Sequence, residues 1–367
     1  MAGVKNFIKT YLPTPALVFI ILATLSALVL VFANINPDFA DFVNSTVSVV
    51  IRALLSYLTY LFPFSVFEIL VLLAIPLFIV TLVLLLRGKP SAKRYIRGAA
   101  NLLGLICLIF SLFVFTLGVG YKTTDLSSRL NLVEEESIEK EELYSVTVLV
   151  RDEVNRLSSE IDYTDGQSYS GYTLNEISKK LCDAYDIVFC EYPVGYNFES
   201  RVKPVKMSGV MSDAGITGIY SFFTGEANLN VAYPDYCLPF TMAHEMAHQR
   251  GFSRENEANF MAYLVCIHSD DNYIKYSGYL SLYKYLISDL YRASPELYKE
   301  AAKGLSDGAK ADITASQTHA LLHSGTKLGE ISDKANNAYL QINGTEGVVS
   351  YGFVVRLAVA YHKFDVA

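Results

Sequence analysis

The sequence predicts an α+β protein: an N-terminal region of three transmembrane helices followed by a mainly helical domain carrying a small sheet. Three observations predict it. Long apolar runs almost free of charge are confined to the first 120 residues, a glycine-punctuated stretch occupies 202–231, and helix-period patterns dominate the remainder. At 367 residues the chain has room for more than one unit. The division falls between a membrane region at 1–122 and a second domain at 123–367.

The apolar runs lie at about 16–34, 65–86 and 98–120, and Glu68 is the one charge within them. Each is long enough to cross a hydrocarbon core of roughly 30 Å as a helix. Lys5 and Lys9 precede the first run, and Arg87, Lys89, Lys93, Arg94 and Arg97 fall between the second and third. The positive-inside rule makes both segments cytoplasmic and places everything after the third span outside the membrane. The first run is long, and no convincing small-x-small cleavage site follows it, so it reads as an uncleaved anchor. Between the first two spans, 38–62 is apolar but interrupted by Asp38, Asp41 and Arg52. An amphipathic helix on the membrane surface suits it better than a fourth span, with packing against the outer domain as the equal alternative.

Charge divides the same way. Residues 1–125 hold nine Lys/Arg against four Asp/Glu, which leaves −12 for the remainder of a chain whose net charge is −7. An acidic outer domain gives no support for nucleic-acid binding. Of the five cysteines, Cys182 and Cys190, or Cys237 and Cys266, are candidates to pair in an oxidising compartment.

Within the second domain, 133–161 is amphipathic and reads as a helix leading away from the membrane. Thr173 can cap a further helix at 173–185. Short runs between Gly209, Gly215, Gly218 and Gly225 suit two or three strands. Helices follow at about 239–250, 253–267, 271–291, 295–303, 313–323, 329–342 and 348–361, with Gly251 at a C-cap position and Ser253 as a start signal.

The helix at 239–250 carries His-Glu-x-x-His. His244 and His248 sit one turn apart on one face and can reach the same cation, while Glu245 lies beside them as a candidate base for metal-activated water. A catalytic zinc needs three protein ligands plus an open position, so a third donor is required. Glu255 is the leading candidate and Glu257, on another face, the alternative; Asn259, one turn after Glu255, can support a ligand by a hydrogen bond. Arg254 stands where a longer His-rich zinc motif would place histidine, and the charged flank Gln249, Arg250, Arg254 and Glu255 takes the motif out of the bilayer. Glu226 and Asn228, in the strand-like stretch ahead of the motif, are candidates for substrate contact, since zinc peptidases commonly hold peptides along an exposed strand edge. His319 and His323 form another i,i+4 pair without a following glutamate and read as surface or core histidines. Tyr276 and Tyr351 are donors that could reach an oxyanion.

Several stretches together carry a family resemblance: Ala-His-Glu-Met-Ala-His-Gln-Arg-Gly-Phe at 243–252, Arg-Glu-Asn-Glu-Ala-Asn-Phe at 254–260, Phe-Thr-Gly-Glu-Ala-Asn at 223–228, Tyr-Ser-Gly-Tyr at 276–279 and Gly-Val-Val-Ser-Tyr-Gly at 347–352. With the N-terminal spans, they resemble an uncharacterised family of bacterial membrane-anchored proteins in the zincin-like metallopeptidase clan. The resemblance covers nearly the whole chain. It implies a gluzincin-type fold with Zn2+ on His244, His248 and a glutamate. The expectation is a membrane-anchored zinc metallopeptidase, its catalytic domain extracytoplasmic, its partners the lipid bilayer and a peptide or protein substrate. The alternative is a zinc-binding membrane sensor or scaffold without turnover.

Overall fold

The computed structural model describes residues 10–87, 91–135, 137–347 and 353–363. Lys5, Lys9, Lys89 and Tyr351 lie outside the described residues. The chain is mostly helical with two small sheets.

Four helices near the N-terminus are long and apolar enough to cross a membrane: α1 (Thr14–Ile35), α2 (Pro37–Tyr60), α3 (Val66–Leu86) and α4 (Ala92–Gly118). Their starts follow local chemistry. Asn36 accepts a hydrogen bond from the Phe39 amide and Pro37 occupies the first turn of α2, where its missing N–H costs nothing. Ser65 caps α3 through the Glu68 amide.

The segment expected as a surface helix at 38–62 is therefore continuous helix α2, with one π turn at Asn44–Ser48. It packs against the domain along its length. Asn44 donates to the Gly251 carbonyl at 3.3 Å, Tyr57 meets Phe198, and Tyr60 donates to Glu199. Its amphipathicity is inverted. Asn44, Ser48, Arg52 and Ser56, spaced by four, are all buried, whereas Val47, Val50, Leu54, Leu58 and Leu61 point outward and are exposed. The polar stripe faces protein and the apolar stripe faces away.

The second domain opens with α5 (Lys140–Ser158), the hairpin β1 (Asp162–Thr164) and β2 (Gln167–Tyr169), and α6 (Leu174–Glu191). Thr173 and Glu176 cap α6 reciprocally. A three-stranded sheet follows in the order β3-β5-β4: β3 (Lys203–Pro204) is parallel to β5 (Glu226–Leu229), and β4 (Gly218–Ser221) is antiparallel to it. Then come α7 (Cys237–Gln249), α8 (Glu255–Ile267) and α9 (Asn272–Ala293). The remaining helices are α10 (Pro295–Lys303), α11 (Asp307–Leu322), α12 (Lys327–Ile342) and α13 (Val354–His362). Helix α8 is the centre of the core: every residue from Phe260 to Cys266 is fully buried, against α7, α9 and α6. Such an all-round apolar helix can only sit inside.

Two expectations change here. Ser253 does not cap α8; Arg254 holds the N-cap position, and the Ser253 hydroxyl donates instead to the Leu117 carbonyl at the end of α4. All five cysteines are free. Cys182 and Cys190 lie on one helix, α6, eight residues apart, so their Cα atoms stand about 12 Å from each other, beyond disulfide reach.

The two regions are joined by hydrogen bonds rather than by a loose linker. Thr116 donates to the Phe222 carbonyl at 3.1 Å. The Glu226 carboxylate accepts from the amides of Val66 and Phe67 at the start of α3, at 3.0 and 2.7 Å. Gly251 closes α7 at φ 98°, and a Cβ there would lie 2.5 Å from the Arg52 guanidinium. Gly251→Ala therefore combines left-handed strain with a clash against a buried cation. We expect a loss of about 1–3 kcal/mol, read as a lower midpoint in thermal unfolding of the full-length protein in detergent.

Candidate metal centre

The centre is built by two helices that meet end to start. Helix α7 runs into Gly251, the chain turns through Phe252 and Ser253, and α8 begins at Glu255. This brings the first turn of α8 back against the last two turns of α7. His244 Nε2 lies 3.1 Å from His248 Nε2 and 3.2 Å from Glu255 Oε2, and His248 Nε2 lies 3.7 Å from the same oxygen. His248 and Glu255 are buried, and His244 is partly exposed, leaving one side of the cluster approachable.

The hydrogen bonding prepares these atoms to bind a cation. His248 Nδ1 lies 2.7 Å from the Phe252 carbonyl. A carbonyl only accepts, so Nδ1 carries the hydrogen, and in the neutral ring Nε2 presents a bare lone pair to the cluster. The Glu255 oxygen is likewise an acceptor. Converging acceptors repel unless a positive charge lies between them. Burial disfavours a charged His248, but the Glu255 carboxylate, with Glu245 adding to it, outweighs burial and pushes its pKa up to about 9. Burial likewise works against ionised Glu255, yet His248 and then His244 hold its carboxyl well below the usual range. In the absence of a metal a proton serves as that positive charge, and a divalent cation bound by the same three atoms would displace it.

Glu245 is buried beside the pair, and burial raises its pKa while the two histidines partly offset this. It lies against strand β4. Gly218 passes so close that a Cβ would sit 2.6 Å from Glu245 Oε1, which explains the glycine. The Tyr220 ring lies nearly parallel to His248, centroids 6.5 Å apart.

The other candidate residues separate cleanly. Glu257 is turned away from the histidines: its carboxylate accepts from the Leu126 amide at 2.8 Å and pairs with Arg254 at 2.7 Å and Arg129 at 3.7 Å. Asn259 is buried next to Tyr285, whose hydroxyl is pushed up to about 12 by burial, with Glu255 adding to the shift. Glu226 and Asn228, placed at the substrate by the sequence, are buried, and their side chains are committed elsewhere. Glu226 holds Lys203 at 2.6 Å and the start of α3, and Asn228 lies 2.6 Å from the Ser65 hydroxyl. They sit on β5, the central strand, which has no free edge to offer. Tyr276 donates to Asp312 inside the core. His319 and His323 bond Ser212 and Asp213, away from the cluster.

Sequence reasoning missed Tyr220, Gly218, Tyr285 and the Phe252 carbonyl. A glycine inside a strand-like run just before the motif was a signal for Gly218. A single tyrosine among 26 offers none.

A cleft of about 740 Å3 lies beside α2, lined by Arg52, Arg129, Arg250 and Asn197 among others. With the geometry established, comparison with known proteins adds one fact. Residues 44–359 match the family described as a protein of unknown function, DUF3810. The chain belongs to that family. No curated protein and no solved structure matches it. The DUF3810 match begins within α2 and ends within α13, so it takes in most of α2 and the His244, His248 and Glu255 cluster.

The two glutamates of α8 can be told apart by metal content. Full-length protein with His244→Ala, His248→Ala or Glu255→Ala should bind zinc more weakly by over roughly 100-fold, beyond the effect of losing an outer partner. Glu257→Gln should keep its metal but unfold more easily, by about 3 kcal/mol, because Arg254 and Arg129 lose their carboxylate. Elemental analysis after dialysis, beside thermal melts, separates the two; metal loss in Glu257→Gln alone would reverse the assignment.

Proposed function

We propose that this protein is a membrane-anchored zinc metallopeptidase of zincin-like, gluzincin type. His244, His248 and Glu255 hold the metal, Glu245 is the proton carrier, and the peptide lies along β4. The observation that carries the reading is the triangle of donor atoms, with sides of 3.1, 3.2 and 3.7 Å and an ionisable glutamate directly behind it. Tetrahedral bonds of about 2.0–2.1 Å space nitrogen and oxygen donors about 3.3–3.4 Å apart, so the triangle fits zinc without rearrangement. Zinc, when bound, supplies Lewis acidity toward water and the substrate carbonyl.

The chain's own residues perform the rest. Glu245 is buried against Gly218 of β4, so its position is set before substrate arrives. It accepts a proton from the attacking water as the new C–O bond forms. It then delivers that proton to the amide nitrogen as the C–N bond breaks, leaving a carboxylic acid and an amine. Burial favours the protonated state midway through this cycle. The cluster's partly exposed side, at His244, is where a peptide carbonyl can enter.

The membrane arrangement belongs to the same reading. Helices α1, α3 and α4 are the spans, the Lys/Arg segment between α3 and α4 is cytoplasmic, and the catalytic domain is extracytoplasmic. Helix α2 is assigned to the surface, since its buried polar stripe is held by the domain.

Glu245→Gln is the decisive variant. It should retain stoichiometric zinc and lose kcat by about 1,000-fold or more against a broad peptide library, since the carboxamide cannot carry the proton. Full activity in a zinc-loaded Glu245→Gln protein would overturn the mechanism. Zinc binding with no cleavage by the wild type would favour a sensor or scaffold.

A further inference from the structure

We infer that the substrate is a membrane-tethered polypeptide, cut within a few residues of the bilayer surface on the domain's side. The inference rests on the peptidase reading and adds the substrate class to it.

Strand β4 is an edge strand, paired only with β5 among the described residues. Its outward-facing residues follow from the register. The Asn230 amide donates to the Thr217 carbonyl, and Ile219 and Ser221 continue that phase opposite Asn228 and Glu226. In an antiparallel pair such residues alternate, so the main-chain groups of Gly218 and Tyr220 face the free edge. Glu245 and His248 lie against these same two residues: a Cβ on Gly218 would sit 2.6 Å from Glu245 Oε1, and the Tyr220 ring stacks on His248. A substrate strand laid on this edge therefore passes Glu245 and the metal ligands.

The other end of β4 decides where such a substrate comes from. Ser221 leads directly into Phe222 and Phe223, and both meet spans. The Phe222 ring packs on Phe113 of α4 at 5.7 Å between centroids, its carbonyl accepts from Thr116, and Phe223 packs on Phe67 in the first turn of α3 at 5.8 Å. Gly218–Ser221 is four residues, about 13 Å of extended chain. A peptide paired with β4 thus runs from the reacting bond to the ends of two spans within about four residues.

Two features tie the same region to the apolar N-terminal helices. Tyr220, stacked on His248, belongs to an apolar cluster with Leu117 and Tyr121 at the end of α4, joined by Phe113, Phe222 and Tyr339. Helix α2, tied to Gly251 at the end of the metal helix, turns its exposed apolar stripe outward. The metal cluster has only the last turn of a span and one layer of aromatic rings between it and the apolar belt. A chain emerging from the bilayer reaches this edge directly.

The test uses zinc-loaded full-length protein in phosphatidylcholine–phosphatidylglycerol vesicles. A tagged random octapeptide is supplied on a single apolar transmembrane helix through Gly/Ser spacers of about 2, 10 or 30 residues, and also without the helix. Sharing a membrane raises the encounter rate of every tethered arm, so the dependence on spacer length isolates position from co-localisation. We expect the shortest spacer to be cut at least about tenfold faster than the longest and than the soluble peptide, with cleaved bonds mapping by mass spectrometry close to the helix. Equal rates across spacers, or a preference for the soluble peptide, would overturn the inference and leave the peptidase reading standing. Absence of cleavage in every arm would instead remove the peptidase reading, and this inference with it.

Discussion

The end of the HExxH helix is clamped onto the apolar N-terminal helices by neutral acceptors and one buried cation, and the geometry of the His244, His248 and Glu255 cluster depends on that clamp. The Arg52 guanidinium is buried and donates to the side chain and carbonyl of Asn44, and Asn44 in turn holds the Gly251 carbonyl. Gly251 is the hinge between α7 and α8, so fixing its carbonyl fixes how α8 returns to present Glu255. Gln249 and Ser253 tie the same turn to Gly225 and Leu117. Hydrogen bonds from a charged donor are worth roughly 1.5–3 kcal/mol, and removing one partner leaves the other buried and unsatisfied. The clamp is therefore costly to break and holds the helix crossing rigidly.

Electrostatics then sorts two glutamates only two residues apart. The first turn of α8 rotates Glu255 toward the imidazoles and Glu257 toward Arg254 and Arg129. Each carboxylate is buried, and each meets positive or protonatable groups, which is the condition for burying a charge at all. Arg254, whose position already excluded one His-rich zinc motif, thus has a second consequence: it neutralises Glu257 and leaves Glu255 as the acidic group within reach of the histidines.

What was legible in the sequence was local. Apolar runs, the Thr173 cap, the start of α10 at Pro295 and the closing glycine of α7 all follow from interactions spanning a few residues, and the structure has them where the pattern put them. The spacing of His244, His248 and Glu255 was readable because one helix and one tight turn determine it. What was not legible depends on contacts between distant segments. The polarity of Glu226 and Asn228 looked like exposure, but their partners, Lys203, Ser65 and the amides of α3, lie 23 to 163 positions away. Tyr220 was one of many tyrosines until β4 placed it on His248. The short β1–β2 hairpin, three residues a side, fell below any periodic signal.

Helix α2 carries its polarity the opposite way round from a helix on a water-facing surface. In water, a helix with Asn44, Ser48, Arg52 and Ser56 inside and Val47, Val50, Leu54, Leu58 and Leu61 outside would be the wrong way round. Against lipid the sign reverses: hydrocarbon favours the apolar stripe, and polar groups withdraw into protein that can satisfy them. The same reversal explains how Glu226 spends its charge on the first amides of α3. Those N–H groups lack intrahelical partners and, at a bilayer boundary, would otherwise compete for scarce water. The central strand of the sheet thus holds the start of α3, while the neighbouring edge strand lies against Glu245. The hairpin from Gly218 to Leu229 therefore connects the start of α3 to the His244, His248 and Glu255 cluster.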